Sequence, residues 1–121
     1  MISRLFFLFL ISLIFACSAS KKSISLGVIN ISQSDSIAGK EAIGKSDCYT
    51  CHKVEEKLIG PSFLSIATKY DQTSKNIIRL IKKIKEGGKG AWGKLPMTHH
   101  PTLLQEDVQK MVQYILSLNK N

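Results

Sequence analysis

Cys48-Tyr49-Thr50-Cys51-His52 is the stretch on which the reading of this chain turns. Two thiols three residues apart sit on one side of a single helical turn, and an imidazole follows at once. Thiols so spaced can each add across one vinyl group of a haem. The adjacent histidine is then held at the proximal face of the porphyrin, with Nε2 free to bind iron. The C-x-x-C-H pattern is the signature of c-type haem attachment. Three other readings compete. A structural zinc site needs a second pair of ligands, and no second C-x-x-C is present. A thioredoxin-like redox pair belongs to a βαβ setting that this sequence lacks. A structural disulfide suits an exported protein but leaves His52 without a role.

Residues outside the motif decide among these. An electron-carrying haem iron takes a sixth ligand, and methionine is the usual one because it raises the potential. Met97, in Lys94-Leu95-Pro96-Met97-Thr98, lies 45 residues beyond His52. Pro96 stiffens the backbone just before it. Met111 sits at an apolar helical position and reads as core. Gly60-Pro61 follows His52 by eight and nine residues. A carbonyl at Pro61 can accept the Nδ1–H of a ligating histidine and fix the ring. Trp92 precedes Met97 by five residues, and its indole N–H is placed to donate to a haem propionate. Each has a plainer alternative: Gly-Pro as a turn, Trp92 as core. His99 and His100 compete with Met97 as ligands. Pro96 and Pro101 stiffen the chain around them, and both histidines read as surface residues beside the haem edge.

Periodicity makes the surrounding chain all-α. Residues 39–46 form a short helix leading into the motif. Phe63, Ile66, Ala67 and Tyr70 recur at helical spacing after Pro61. Thr73 or Ser74 can cap a helix running to about Lys85, striped with Ile77, Ile81 and Ile84 and stopped by Gly87-Gly88. Val108, Met111, Val112, Ile115 and Leu118 mark an amphipathic C-terminal helix. No strand alternation stands out. The domain, roughly 80 residues from position 39 to 121, is short enough to need a staple beyond its own core. A bound planar cofactor is such a staple.

The first residues read as an export signal. Arg4 precedes the apolar run 5–15, LFFLFLISLIF. A membrane-spanning helix needs about 20 apolar residues, so this run has the length of a signal-peptide core. Leu13-Ile14-Phe15-Ala16-Cys17 resembles the lipobox of bacterial lipoproteins, in which the cysteine becomes the acylated first residue. On that resemblance residues 1–16 are a lipoprotein-type signal peptide and Cys17 carries the lipid. The alternative is cleavage near Ala19. Residues 17–38, rich in serine, read as a flexible tether to a domain at 39–121.

The formal charge is +8, and falls to +7 without the signal segment. Export, and the lack of interleaved aromatic and basic residues, argue against nucleic acid as the partner. Lys82, Lys83, Lys85, Lys89 and Lys94 lead toward Trp92 and Met97. They read as docking charges for redox-partner proteins with acidic surfaces.

From position 39 to 118 the chain resembles the small bacterial class I cytochromes c, the single-haem periplasmic electron carriers. The resemblance rests on Cys48, Cys51 and His52, on Leu58-Ile59-Gly60-Pro61-Ser62 and Ile66-Ala67-Thr68-Lys69-Tyr70, on Ile84-Lys85-Glu86-Gly87-Gly88, and on Trp92-Gly93, Pro96-Met97 and the terminal helix. It implies about four helices around one covalent haem c. His52 and Met97 are then iron ligands, with Pro61 and Trp92 supporting the cofactor. The first and last helices should cross, with Ile43 facing Tyr114 or Val112. The resemblance further implies an electron carrier rather than an enzyme, monomeric, periplasmic or lipid-anchored facing the periplasm. Two departures are visible: Thr98-His99-His100-Pro101 replaces the family's proline after Pro-Met, and Leu104 stands where a capping Ser or Asp usually opens the last helix. Other readings are a haem subunit of a larger dehydrogenase or oxidase, and a peroxidase-like or gas-binding protein with an open sixth position.

Overall fold

The structure is a computed structural model and describes residues 33–119. The signal segment, Cys17 and the tether up to residue 32 lie outside the described residues. Four α-helices, a 3-10 turn and a small hairpin follow one another: α1 Gln33–Gly44, the 3-10 turn Cys48–Thr50, α2 Phe63–Lys69, α3 Ser74–Glu86, β1 Gly88–Gly90, β2 Gly93–Met97 and α4 Gln105–Ser117.

α1 begins six residues before the expected start at Gly39, inside the stretch read as tether. Its serines give no apolar stripe, and tertiary packing makes the helix. Gly39 is buried at the crossing with α4, where an added Cβ would run into the Lys110 carbonyl and lie 2.9 Å from Tyr114 Cβ. A residue without a side chain therefore lets the two helix backbones meet. Ile43, fully buried, packs with Phe63, Met111, Tyr114 and Ile115. Ile43 thus shares its cluster with Tyr114, and Val112 belongs to a second cluster with Tyr70, Ile77, Ile81, Val108 and Leu116. Met111 is core, as its spacing indicates.

The helix ends follow from capping chemistry. Ser62 Oγ accepts the Ser65 N–H at 3.0 Å and caps α2. Thr73 Oγ1 accepts the Asn76 N–H at 3.3 Å and caps α3. Leu104 gives α4 no side-chain cap, and Glu106 and Asp107 in the first turn supply favourable charge there instead. Gly87 closes α3 at φ +65° and ψ −146°, a region open to glycine and costly for other residues.

The hairpin was not foreseen. β1 and β2 pair antiparallel, Gly88 opposite Met97 and Gly90 opposite Gly93. Neither strand buries a face, so no alternation of apolar and polar residues marks them. The hairpin carries Met97 at its end. Among the described residues no helix is long and apolar enough to cross a membrane.

Candidate haem site

The attachment motif winds as one tight turn. The His52 and Cys51 N–H groups both donate to the Cys48 carbonyl, at 3.0 and 3.2 Å. Ser46, just past the end of α1, donates its hydroxyl toward the Ile43 carbonyl at 2.8 Å and toward Cys48 Sγ at 2.9 Å. Burial pushes the Cys48 thiol above its ordinary pKa, against the Ser46 hydrogen bond, which acts the other way. Cys48 and Cys51 are both free thiols and half-buried. No cluster of three or more His, Cys, Asp or Glu side chains is gathered to hold a metal among the described residues. A closed zinc site of the ordinary kind therefore has no ligand set here.

His52 is buried, and the geometry fixes which of its nitrogens is free. Nδ1 lies 2.7 Å from the Pro61 carbonyl, as the sequence suggested. A carbonyl can only accept, so Nδ1 carries the proton and Nε2 presents its lone pair. The Phe63 ring stacks on the imidazole at 5.5 Å between centroids and 17° between planes. Gly60 lies against the same ring: a Cβ there would come within 2.8 Å of Nδ1 and 2.9 Å of Nε2. The loop is drawn in by the Gly60 N–H, which donates to the Cys51 carbonyl at 2.8 Å. The Phe63 and Leu64 N–H groups donate to the Lys53 and Val54 carbonyls, both at 2.9 Å, so the segment after His52 satisfies donors at the start of α2. Gly60 packs against the candidate ligand and was passed over by sequence reasoning in favour of its neighbour Pro61. Its signal was present in the Gly-Pro pair, but the need for space beside His52 is a tertiary fact.

Met97 is partly buried at the end of β2. An added Cβ at Gly87 would lie 2.5 Å from the Met97 carbonyl and 2.7 Å from the His99 nitrogen, so the end of α3 abuts this loop closely. Trp92 is half-exposed at the hairpin turn, and the Lys69 ammonium lies 4.7 Å from its ring centroid. His99 is exposed. His100 departs from the expected surface role: its side chain is only 17% exposed and pairs with Asp47 at 3.0 Å.

Two of the five lysines read as docking charges turn inward. Lys83 Nζ donates to the Gly87 and Lys89 carbonyls at 3.0 and 2.9 Å. Lys85 Nζ donates to the Pro101 and Leu103 carbonyls at 2.6 and 2.5 Å. Lys82 stands 3.8 Å from Glu86, while Lys89 and Lys94 are exposed.

The residues fit a large planar apolar group. Among the described residues nine large hydrophobic side chains are exposed, and seven of them, Tyr49, Leu58, Ile59, Leu64, Trp92, Leu95 and Leu104, lie within twelve residues of His52 or Met97 in sequence. Such apolar side chains are available to an apolar cofactor bound between those two residues. The free Nε2 of His52 and the two thiols supply the donor set of a c-type haem.

Comparison with known proteins agrees with this chemistry. The cytochrome c family model matches residues 36–119. Cytochrome c-551 of Allochromatium vinosum is 36% identical over 74 residues, 61% of this chain and 79% of that protein. Cytochrome c-551 of Pseudomonas denitrificans is 32% identical over 80 residues, covering 66% of this chain and 96% of that protein. The crystal structure of Nitrosomonas europaea cytochrome c552 superposes with a TM-score of 0.62 at 34% identity, over 66% of this chain and 99% of that one. With a C-x-x-C-H turn, an oriented His52 and these relatives in hand, the chain belongs to the cytochrome c family, as a small class I member with one covalent haem c that carries electrons and is not an enzyme.

Proposed function

We propose that this protein carries single electrons between redox proteins outside the cytoplasmic membrane, with Cys48 and Cys51 forming the two thioether bonds and with His52 Nε2 and Met97 Sδ as the axial ligands. The observation that carries the assignment is the 2.7 Å contact of His52 Nδ1 with the Pro61 carbonyl. It sets the tautomer, aims Nε2 and makes the imidazole a better donor. The haem supplies a one-electron ferric/ferrous couple. The protein's part is to hold that couple in a fixed, dry environment. Phe63 and Gly60 keep the His52 ring from turning. The end of α3 presses on the Met97 loop. Trp92 stands at the hairpin turn, where its indole N–H suits a propionate. Rigid ligands on both sides mean little rearrangement accompanies electron transfer.

Lys89 and Lys94, with Lys69 beside Trp92, form the basic rim that meets an acidic partner surface. Lys83 and Lys85 are excluded from that rim because backbone carbonyls hold them. Cys17 is the acylated first residue of the exported chain, which works at a membrane surface facing the periplasm. Intact-mass analysis of the native protein tests attachment and anchoring together. The expected product starts at Cys17, carries acyl chains and gains the mass of one haem. A haem removable by acidified organic solvent refutes thioether attachment, and an unmodified chain starting after Ala19 refutes the anchor.

A further inference from the structure

Residues 97–103 are held from two sides. On one side lies the end of α3: the His100 N–H donates to the Ile84 carbonyl at 3.0 Å, and Lys85 Nζ donates to the Pro101 and Leu103 carbonyls. On the other side Leu103 packs against the core cluster of Ile43 and Phe63, and one side-chain hydrogen bond reaches the attachment turn. His100 Nε2 lies 3.0 Å from Asp47 Oδ1, across 53 residues of sequence. A carboxylate accepts, so Nε2 donates. Asp47 immediately precedes Cys48 and opens the 3-10 turn of the attachment motif. His100 Nδ1 is buried and has no partner. A buried polar nitrogen left unpaired calls for an explanation. The Asp47 contact supplies one: holding Nε2 on the carboxylate fixes the ring's orientation and leaves Nδ1 on the buried side.

We propose that Asp47 and His100 form a clasp that fastens the Met97 loop to the haem-attachment turn, making His100 a positioning residue for the sixth ligand. The inference rests on Met97 being that ligand. A ligand on a loop leaves its iron by local opening, and the opening frequency depends on the contacts broken. The α3 grip holds the loop to the helix. The clasp holds it to the segment that carries the haem, and so governs the separation of Met97 from that segment.

The test uses oxidised holoprotein and added imidazole. The loss of the near-infrared sulfur-to-iron charge-transfer band is followed until the rate saturates, where loop opening is limiting. His100→Ala and Asp47→Ala should each speed the saturated rate about fivefold, the effect of one partly exposed charged hydrogen bond. The double variant should match the singles, because both remove the same contact. His100→Gln, whose amide can still donate to Asp47, should return the rate toward wild type, and exposed His99→Ala should leave it unchanged. Asp47 has a side chain 69% exposed, so its variant carries the test if His100→Ala does not fold. Wild type with the band but unchanged rates in the variants, or additive effects of the two singles, refutes the clasp and leaves Met97 in place. Wild type lacking the band overturns the ligand assignment and the clasp with it.

Discussion

Gly60→Ala places one methyl group against the His52 imidazole, the proposed proximal ligand. The added Cβ would sit 2.8 Å from His52 Nδ1 and 2.9 Å from Nε2. The nearest ring atom is Cε1, closer than either nitrogen, and comfortable non-bonded contacts begin near about 3.5 Å, so ring and loop must separate by about 1 Å. Neither can yield freely. Turning the ring lengthens the 2.7 Å bond to Pro61 and disturbs the Phe63 stack. Retreat of the loop stretches the 2.8 Å bond from the Gly60 N–H to the Cys51 carbonyl. Overpacking of this kind costs about 1–3 kcal/mol, and a weakened hydrogen bond adds about 1 kcal/mol. The sum, about 2–4 kcal/mol, lowers Tm by roughly 10–25 °C in a domain of this size. Thermal unfolding of the holoprotein reads the stability. The charge-transfer band and the potential read the ligand geometry, and both should shift. Gly44→Ala is the control, since nothing lies within 4 Å of an added Cβ there. A Gly60→Ala protein as stable as the Gly44→Ala control, with an unshifted potential, refutes the packing argument around His52.

Ser62→Ala removes the cap of α2 beside the site and should cost about 1 kcal/mol in denaturant unfolding, with the haem spectrum retained. Lys89→Glu and Lys94→Glu should slow association with an acidic redox partner and flatten its salt dependence, whereas Lys85→Glu should chiefly lower stability; stopped-flow rates against ionic strength separate the two. Burial, and secondarily the charge of Tyr49, raise the Tyr114 phenol above its ordinary pKa of 10.0. The folded state then keeps that proton longer than the unfolded chain. Its contribution is complete below pH 10 and is lost as pH rises through the higher folded value. Tyr114→Phe should therefore lessen the decline of stability in alkaline titration.

Local chemistry was legible in the sequence, and long-range geometry was not. The C-x-x-C-H turn, the Pro61 carbonyl opposite His52, the Thr73 cap and the Met111 core position each follow from a few neighbouring residues. Gly39 looked like the start of a helix and proved to be where two helices touch. Lys83 and Lys85 read as surface charge because nothing local shows a long side chain folding back onto carbonyls. The hairpin left no pattern because both of its faces are exposed. The Asp47–His100 contact joins residues too far apart for any spacing rule to pair.

The central claim is that His52 and Met97 close the iron between them for electron transfer. The near-infrared spectrum of the oxidised protein tests it most directly. Wild type should show the sulfur-to-iron charge-transfer band. Met97→Ala should lose the band and fall in reduction potential, because a thioether favours ferrous iron, while His99→Ala should keep both. A wild type without the band, or a band lost only with His99→Ala, would contradict the account.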